Sequence, residues 1–155
     1  MKNEILTVIT EEDIKNKIYV IRGKEVMLDS DLAKLYECAN GTKTINQSVK
    51  RHINRFPERY MFQLTEEEYN NLKSQLSNIN NHGGVRKIPF AFTEQGVAML
   101  SSVLRTEVAE EMSIKIMDSF VKMRHDIILI IINLFLPNRV LLLEDKVDNN
   151  TKKIN

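Results

Sequence analysis

The stretch that most restricts the fold runs from Thr42 to Pro57. Ile45, Val49, Ile53 and Phe56 recur at i, i+4, i+8 and i+11. At roughly 100° per residue they fall in one apolar sector of a helix. Gln47, Lys50, Arg51 and Asn54 project to the opposite side, and Pro57 ends the run. The spacing predicts an amphipathic helix from about Thr44 to Arg55, with one face in a core and a basic, amide-rich face outward. Upstream, Leu32, Leu35 and Tyr36 fall at helical spacing, and Asp29 or Ser30 can accept from the first-turn N–H groups. Cys38-Ala39-Asn40-Gly41 breaks that helix near Glu37, and Thr42 or Thr44 is placed to cap the next. The pattern is helix, breaker, helix.

Residues 18 to 28 form two β-prone runs around Gly23-Lys24, a connection suited to a type II′ hairpin turn. Tyr60 to Leu64 reads as a strand. Thr65-Glu66-Glu67-Glu68 is a capping box for a helix that buries Tyr69, Leu72 and Leu76. Ser77 to Lys87 is polar, with Gly83-Gly84 at its tip, and Ile88 to Phe92 resumes a strand that Pro89 confines to a sheet edge. That loop, with Arg86 and Lys87 at its base, has the form of a wing, although a solvated loop is the commoner structure. Thr93 and Thr106 each start a helix. Val97, Leu100, Val103 and Leu104 line the first, and Val108, Met112, Ile116 and Phe120 the second. Thr93-Glu94-Gln95-Gly96 has the look of a catalytic turn, but a helix start whose Gly96 permits close packing against a neighbour is the better account, because glycine in a helix costs about 1 kcal/mol relative to alanine. The second helix runs through Met123 into the apolar segment Ile127 to Leu136. Beyond Pro137-Asn138, the residues Val140, Leu143, Val147, Asn150 and Ile154 make a heptad seam. The fold expected is α+β: a winged helix-turn-helix-like domain with a small antiparallel sheet, then a helical subdomain and a C-terminal oligomerising helix. Its boundaries are 15–125 for the first domain and 126–155 for the helical, coiled-coil extension.

The chain has 155 residues, enough for one core, and a net charge of +1. The total conceals a local excess: residues 43 to 59 hold Lys43, Lys50, Arg51, Arg55 and Arg59 against Glu58. Cys38 stands alone, which excludes an intramolecular disulfide and a cysteine-rich zinc site and fits a reducing, cytoplasmic compartment. The N-terminus lacks the pattern of a secretory leader. Ile127 to Leu136 is well short of the roughly 20 residues that cross a bilayer, so no membrane partner is expected. His52, His82 and His125 have no partners at ligand spacing, and the carboxylates at 66 to 68 serve as helix caps. No enzyme activity and no cofactor are expected.

A basic helix after a short helix and a turn suits duplex DNA. Lysine and arginine attract phosphates, asparagine or glutamine pairs bidentately with adenine, and arginine pairs with guanine. On charge pattern alone a solvated helix face is the commoner explanation; the preceding helix and Asn-Gly turn favour DNA. The candidate contacts are Lys43, Thr44, Gln47, Lys50, Arg51, Asn54 and Arg55, with Arg86 and Lys87 from the loop. Asn46 lies at the edge of the apolar sector, where a structural hydrogen bond and a base contact are equally open.

Four ordered runs carry a resemblance: Asp29-Ser30-Asp31-Leu32-Ala33 within 26 to 36, Thr44-Ile45-Asn46-Gln47-Ser48 within 42 to 51, Arg55-Phe56-Pro57-Glu58-Arg59-Tyr60 within 55 to 65, and Phe92-Thr93-Glu94-Gln95-Gly96 within 92 to 101. Together they resemble the phage antirepressor N-terminal domain family named for open reading frame six, a relative of the KilA-N DNA-binding domains. The resemblance covers residues 15 to 125. It implies DNA binding by proteins of phages, prophages and bacterial genomes, a variable C-terminal part, and a regulatory rather than enzymatic role. The link Glu37 to Gly41 is longer than the turn of most members. The partners expected are double-stranded DNA and further copies of the chain, held as a homo-oligomer through the C-terminal helices. The alternative is a protein interaction module that binds a repressor or other partner through those helices.

Overall fold

The computed structural model describes residues 8–76 and 87–136. Among them are four strands, β1 (Tyr19–Ile21), β2 (Lys24–Leu28), β3 (Met61–Gln63) and β4 (Phe90–Thr93). The α-helices among them are α1 (Glu11–Lys15), α2 (Asp29–Leu35), α3 (Thr42–Arg51), α4 (Glu66–Gln75), α5 (Glu94–Leu104) and α6 (Glu107–Phe135). The strands make one antiparallel sheet in the order β1-β2-β4-β3, pairing Ile21 with Lys24, Met27 with Phe92 and Phe62 with Ala91. The class is α+β, as expected.

Two local expectations are corrected in the sheet. The β1–β2 turn is Arg22-Gly23, with φ of 54° and 70°, so it is type I′ and lies one residue earlier than a type II′ turn at Gly23-Lys24. Arg22 is held in this conformation from outside the turn. Its Nε and Nη2 each donate to the Glu68 carboxylate at 2.9 Å, and its guanidinium lies 4.3 Å from the Phe62 ring centre. The second correction concerns β4, which is central rather than an edge strand. Pro89 precedes it, and the Pro89 carbonyl still accepts from the Leu64 N–H at 3.1 Å, so the missing proline N–H removes no rung of the ladder.

Strand side chains alternate between faces, and at β2 and β4 both faces are buried. Val26, Leu28 and Ala91 join Ile21, Phe62 and Leu64 in a cluster closed by Leu72 of α4. That helix starts at the expected capping box: Thr65 Oγ1 accepts from Glu68 N at 3.1 Å, and the Glu68 carboxylate accepts from Thr65 N at 2.9 Å. On the other face, α2 and α5 lie across β2 and β4, and each leaves its strand with no intervening residue. α3 packs on both α2 and α5. Phe56 reaches Phe92 edge-on, with ring centres 6.2 Å apart. α1 opens with a second capping box, Thr10 with Asp13, and buries Ile14.

Gly96 makes the close approach expected of a helical glycine: a Cβ there would fall on the Tyr60 carbonyl oxygen. Thr93 fixes the same spot. Its N–H donates to Tyr60 O at 3.0 Å and its hydroxyl to Arg59 O at 2.9 Å.

The chain divides into two compact units, Met1–Phe120 and Val121–Asn155. In the first, α6 is capped by Thr106 Oγ1, which accepts from Ala109 N at 3.1 Å, and it buries Ala109, Met112, Ile116 and Phe120. Tyr36, at the C-terminal end of α2, hydrogen-bonds Ser113 at 3.1 Å. In the second, the described residues include the apolar segment 127 to 136, largely exposed. The expected heptad seam at 140 to 154 and the loop 77 to 86, including Arg86, lie outside the described residues. No helix among the described residues is long and apolar enough to cross a membrane.

Candidate nucleic-acid interface

The turn between α2 and α3 is bracketed by two residues with positive φ. α2 ends in a Schellman motif: Cys38 N donates to Ala33 O at 2.9 Å and Glu37 N to Lys34 O at 3.1 Å, with Glu37 at φ 53°. α3 then begins behind Gly41, whose φ of 59° suits glycine, and neither Thr42 nor Thr44 caps it with a side chain. The helix stops at Arg51, short of the expected Arg55. His52 departs to φ −126°, ψ 34°, and its Nδ1–H donates to the Ser48 carbonyl at 2.9 Å, satisfying a helix-end acceptor. Ile53–Arg55 form a separate 3₁₀ turn. Ile53 is therefore 55% exposed rather than buried in the apolar sector, and Asn54 and Arg55 stand off the helix.

Ile45 and Val49 are buried, each contributing roughly 1.5–3 kcal/mol by removal from water. Their burial turns Lys43, Gln47 and Lys50, at i, i+4 and i+7, outward as an exposed stripe. Arg51 is exposed and Thr44 half-buried on the flank. Among the described residues, no ion pair engages Lys43, Lys50 or Arg51.

An open cavity of about 480 Å³ runs along the stripe. Lys43, Gln47 and Lys50 reach it from α3 and Lys87 from the approach to β4, above Val49, Ile53, Met61 and Phe90. The fold thus gathers four of the sequence-predicted residues around one groove, with no carboxylate among its described lining residues. Thr44, Arg51, Asn54 and Arg55 lie off its lining, and Arg86 lies outside the described residues. A second hollow, of about 400 Å³, shares Thr42 and Lys87 with the first but carries Asp29 and Asp31 beside Lys34 and Lys73. Burial, followed by the charge of Asp31, pushes the Tyr19 phenol at this second hollow up to about 12. The described lining of the first groove is cationic and that of the second is of mixed charge.

Asp29 is the residue that sequence reasoning assigned too small a part. It is buried, and Oδ1 accepts from Ser30 N at 2.9 Å. The Phe90 N–H, the Lys87 charge and, least, the Asn46 amide also draw its carboxyl downward. Burial raises the carboxyl above the usual range against the pull of these donors and of Lys87. One buried carboxylate therefore faces polar groups of α2, α3 and β4. Asn46 is half-buried and lines the first groove on the α3 side.

The model of one family, described as the ORF6N domain, matches residues 16–103, more than half of the chain. No curated protein and no solved structure matches it.

Proposed function

The chain belongs to the ORF6N domain family, and from that premise we propose that it is a DNA-binding regulatory protein of phage or prophage type, whose α3 is the recognition helix of a winged helix-turn-helix-like unit. A helix about 10–12 Å across fits the major groove, which is about 12 Å wide. Lys43, Lys50 and Arg51 neutralise phosphates on either side of the helix. Gln47, in the middle of the exposed stripe, presents its amide to a base edge, with adenine as the bidentate partner. Lys87 takes a phosphate from the strand side. The role is regulatory rather than catalytic and requires no cofactor. The observation that carries this reading is the exposed α3 stripe meeting Lys87 over a floor with no carboxylate among its described residues.

Fluorescence anisotropy on pooled genomic duplex fragments across a salt series tests it, with Lys50→Ala/Arg51→Ala as the comparison. Wild type binds, and its log affinity falls with log salt by about 0.9 per phosphate neutralised; the double variant loses roughly two such units of slope. Absence of binding by wild type at low salt, or a double variant with an unchanged slope, refutes the assignment.

A further inference from the structure

Ile127 to Leu136 is apolar at every position except Asn133. At about 100° per residue these side chains surround the helix, leaving one narrow polar sector. Helices of this kind are interior ones, yet Ile130 is 58% exposed, Leu134 71% and Phe135 77%. With roughly 180 Å² of surface per side chain, the exposed fractions leave on the order of 800 Å² uncovered per chain, one partner's share of a standard protein interface.

We propose that this segment of α6 is a self-association surface, occupied by the same segment of a second copy of the chain. A second copy buries the side of the helix that faces it, and further copies of the same segment bring the buried area toward that of a standard interface. Asn133 favours a like partner over an unlike one. Its amide carries both donors and an acceptor, so two copies related by a twofold axis satisfy each other within an otherwise apolar seam. Single amides in apolar helix seams fix register in the same way. An unlike partner would have to bring an amide of its own to the same depth. A dimer is the minimum that an all-round apolar helix requires. The inference rests on the second compact unit alone and stands apart from the DNA reading.

Sedimentation equilibrium of the full chain from about 1 to about 100 µM, with Ile130→Glu/Leu134→Glu as the comparison, tests it. Wild type is expected at two or more times 18.0 kDa, and the double variant at the monomer mass with its circular-dichroism melt retained, since both positions lie outside the Met1–Phe120 unit. A wild type that stays monomeric throughout overturns the proposal. So does a monomer that co-sediments with phosphatidylcholine–phosphatidylglycerol vesicles, and so does a double variant that keeps the wild-type mass.

Discussion

Gly96→Ala is the sharpest stability test of how α5 is seated. In a helix with open space beside it the change stabilises by about 1 kcal/mol. Here the new methyl meets the Tyr60 carbonyl, a backbone group that cannot rotate aside. Overpacking of this kind costs about 1–3 kcal/mol or more. Displacing α5 also weakens the Thr93 N–H and hydroxyl bonds to Tyr60 O and Arg59 O, each contributing about 1 kcal/mol. After the propensity gain is subtracted, the net loss is about 2–4 kcal/mol, which lowers the melting temperature by roughly 6–15 °C for a domain of this size. Thermal melts and urea midpoints measure it. Ala98→Gly, on the exposed side of the same helix, is the control and loses about 1 kcal/mol. If Gly96→Ala melts at or above wild type, the close approach to Tyr60 is not a constraint and the reasoning fails.

The remaining tests concern the turn residues. Arg22, and then the Thr65 N–H, hold the Glu68 carboxyl down at about 2, from an ordinary 4.5, so its contribution to stability is full above about pH 4.5 and is lost as the pH falls toward 2. Glu68→Gln keeps the capping-box geometry; its stability deficit in urea titrations is therefore present at pH 6 and closes toward pH 2, and a gap independent of pH contradicts the assignment. Glu37→Gly relieves a non-glycine residue at φ 53° in the Schellman motif and raises stability by about 1 kcal/mol. An unchanged or lower urea midpoint shows that Glu37 is not strained there.

What was legible in the sequence was local physics. The caps at Thr65, Thr93 and Thr106 depend on groups within three residues of each other, and all three form. Thr10 to Asp13 carries the same signal as Thr65 to Glu68, but a helix of five residues supplies no apolar periodicity to confirm it. The error in α3 came from extending a period: Ile53 and Phe56 continue the spacing of Ile45 and Val49, whereas the His52–Ser48 bond ends the helix before them. Pro89 was misread by one position, since a proline just outside a strand takes nothing from its ladder. At the candidate site, the outward direction of Lys43, Gln47 and Lys50 followed from periodicity. Asp29 could not be read in this way, because the state of its carboxylate depends on burial and on the charge of Lys87, which only the tertiary fold brings to it.

The same geometry separates the residues that hold α3 from those free to bind. An isolated ten-residue helix is marginal in water, and this one has no side-chain cap. It is held by burial of Ile45 and Val49 in its packing on α2 and α5. Lys43, Gln47 and Lys50 take no part in that support, so replacing them by alanine is expected to change stability by no more than about 0.5 kcal/mol. Asp29 differs, because it is buried and removing its carboxylate leaves the Ser30 N–H without its acceptor. A binding defect at Lys50 with an unchanged melt therefore reports a lost ligand contact. The same defect at Asp29 reports a displaced helix unless the melt is also unchanged.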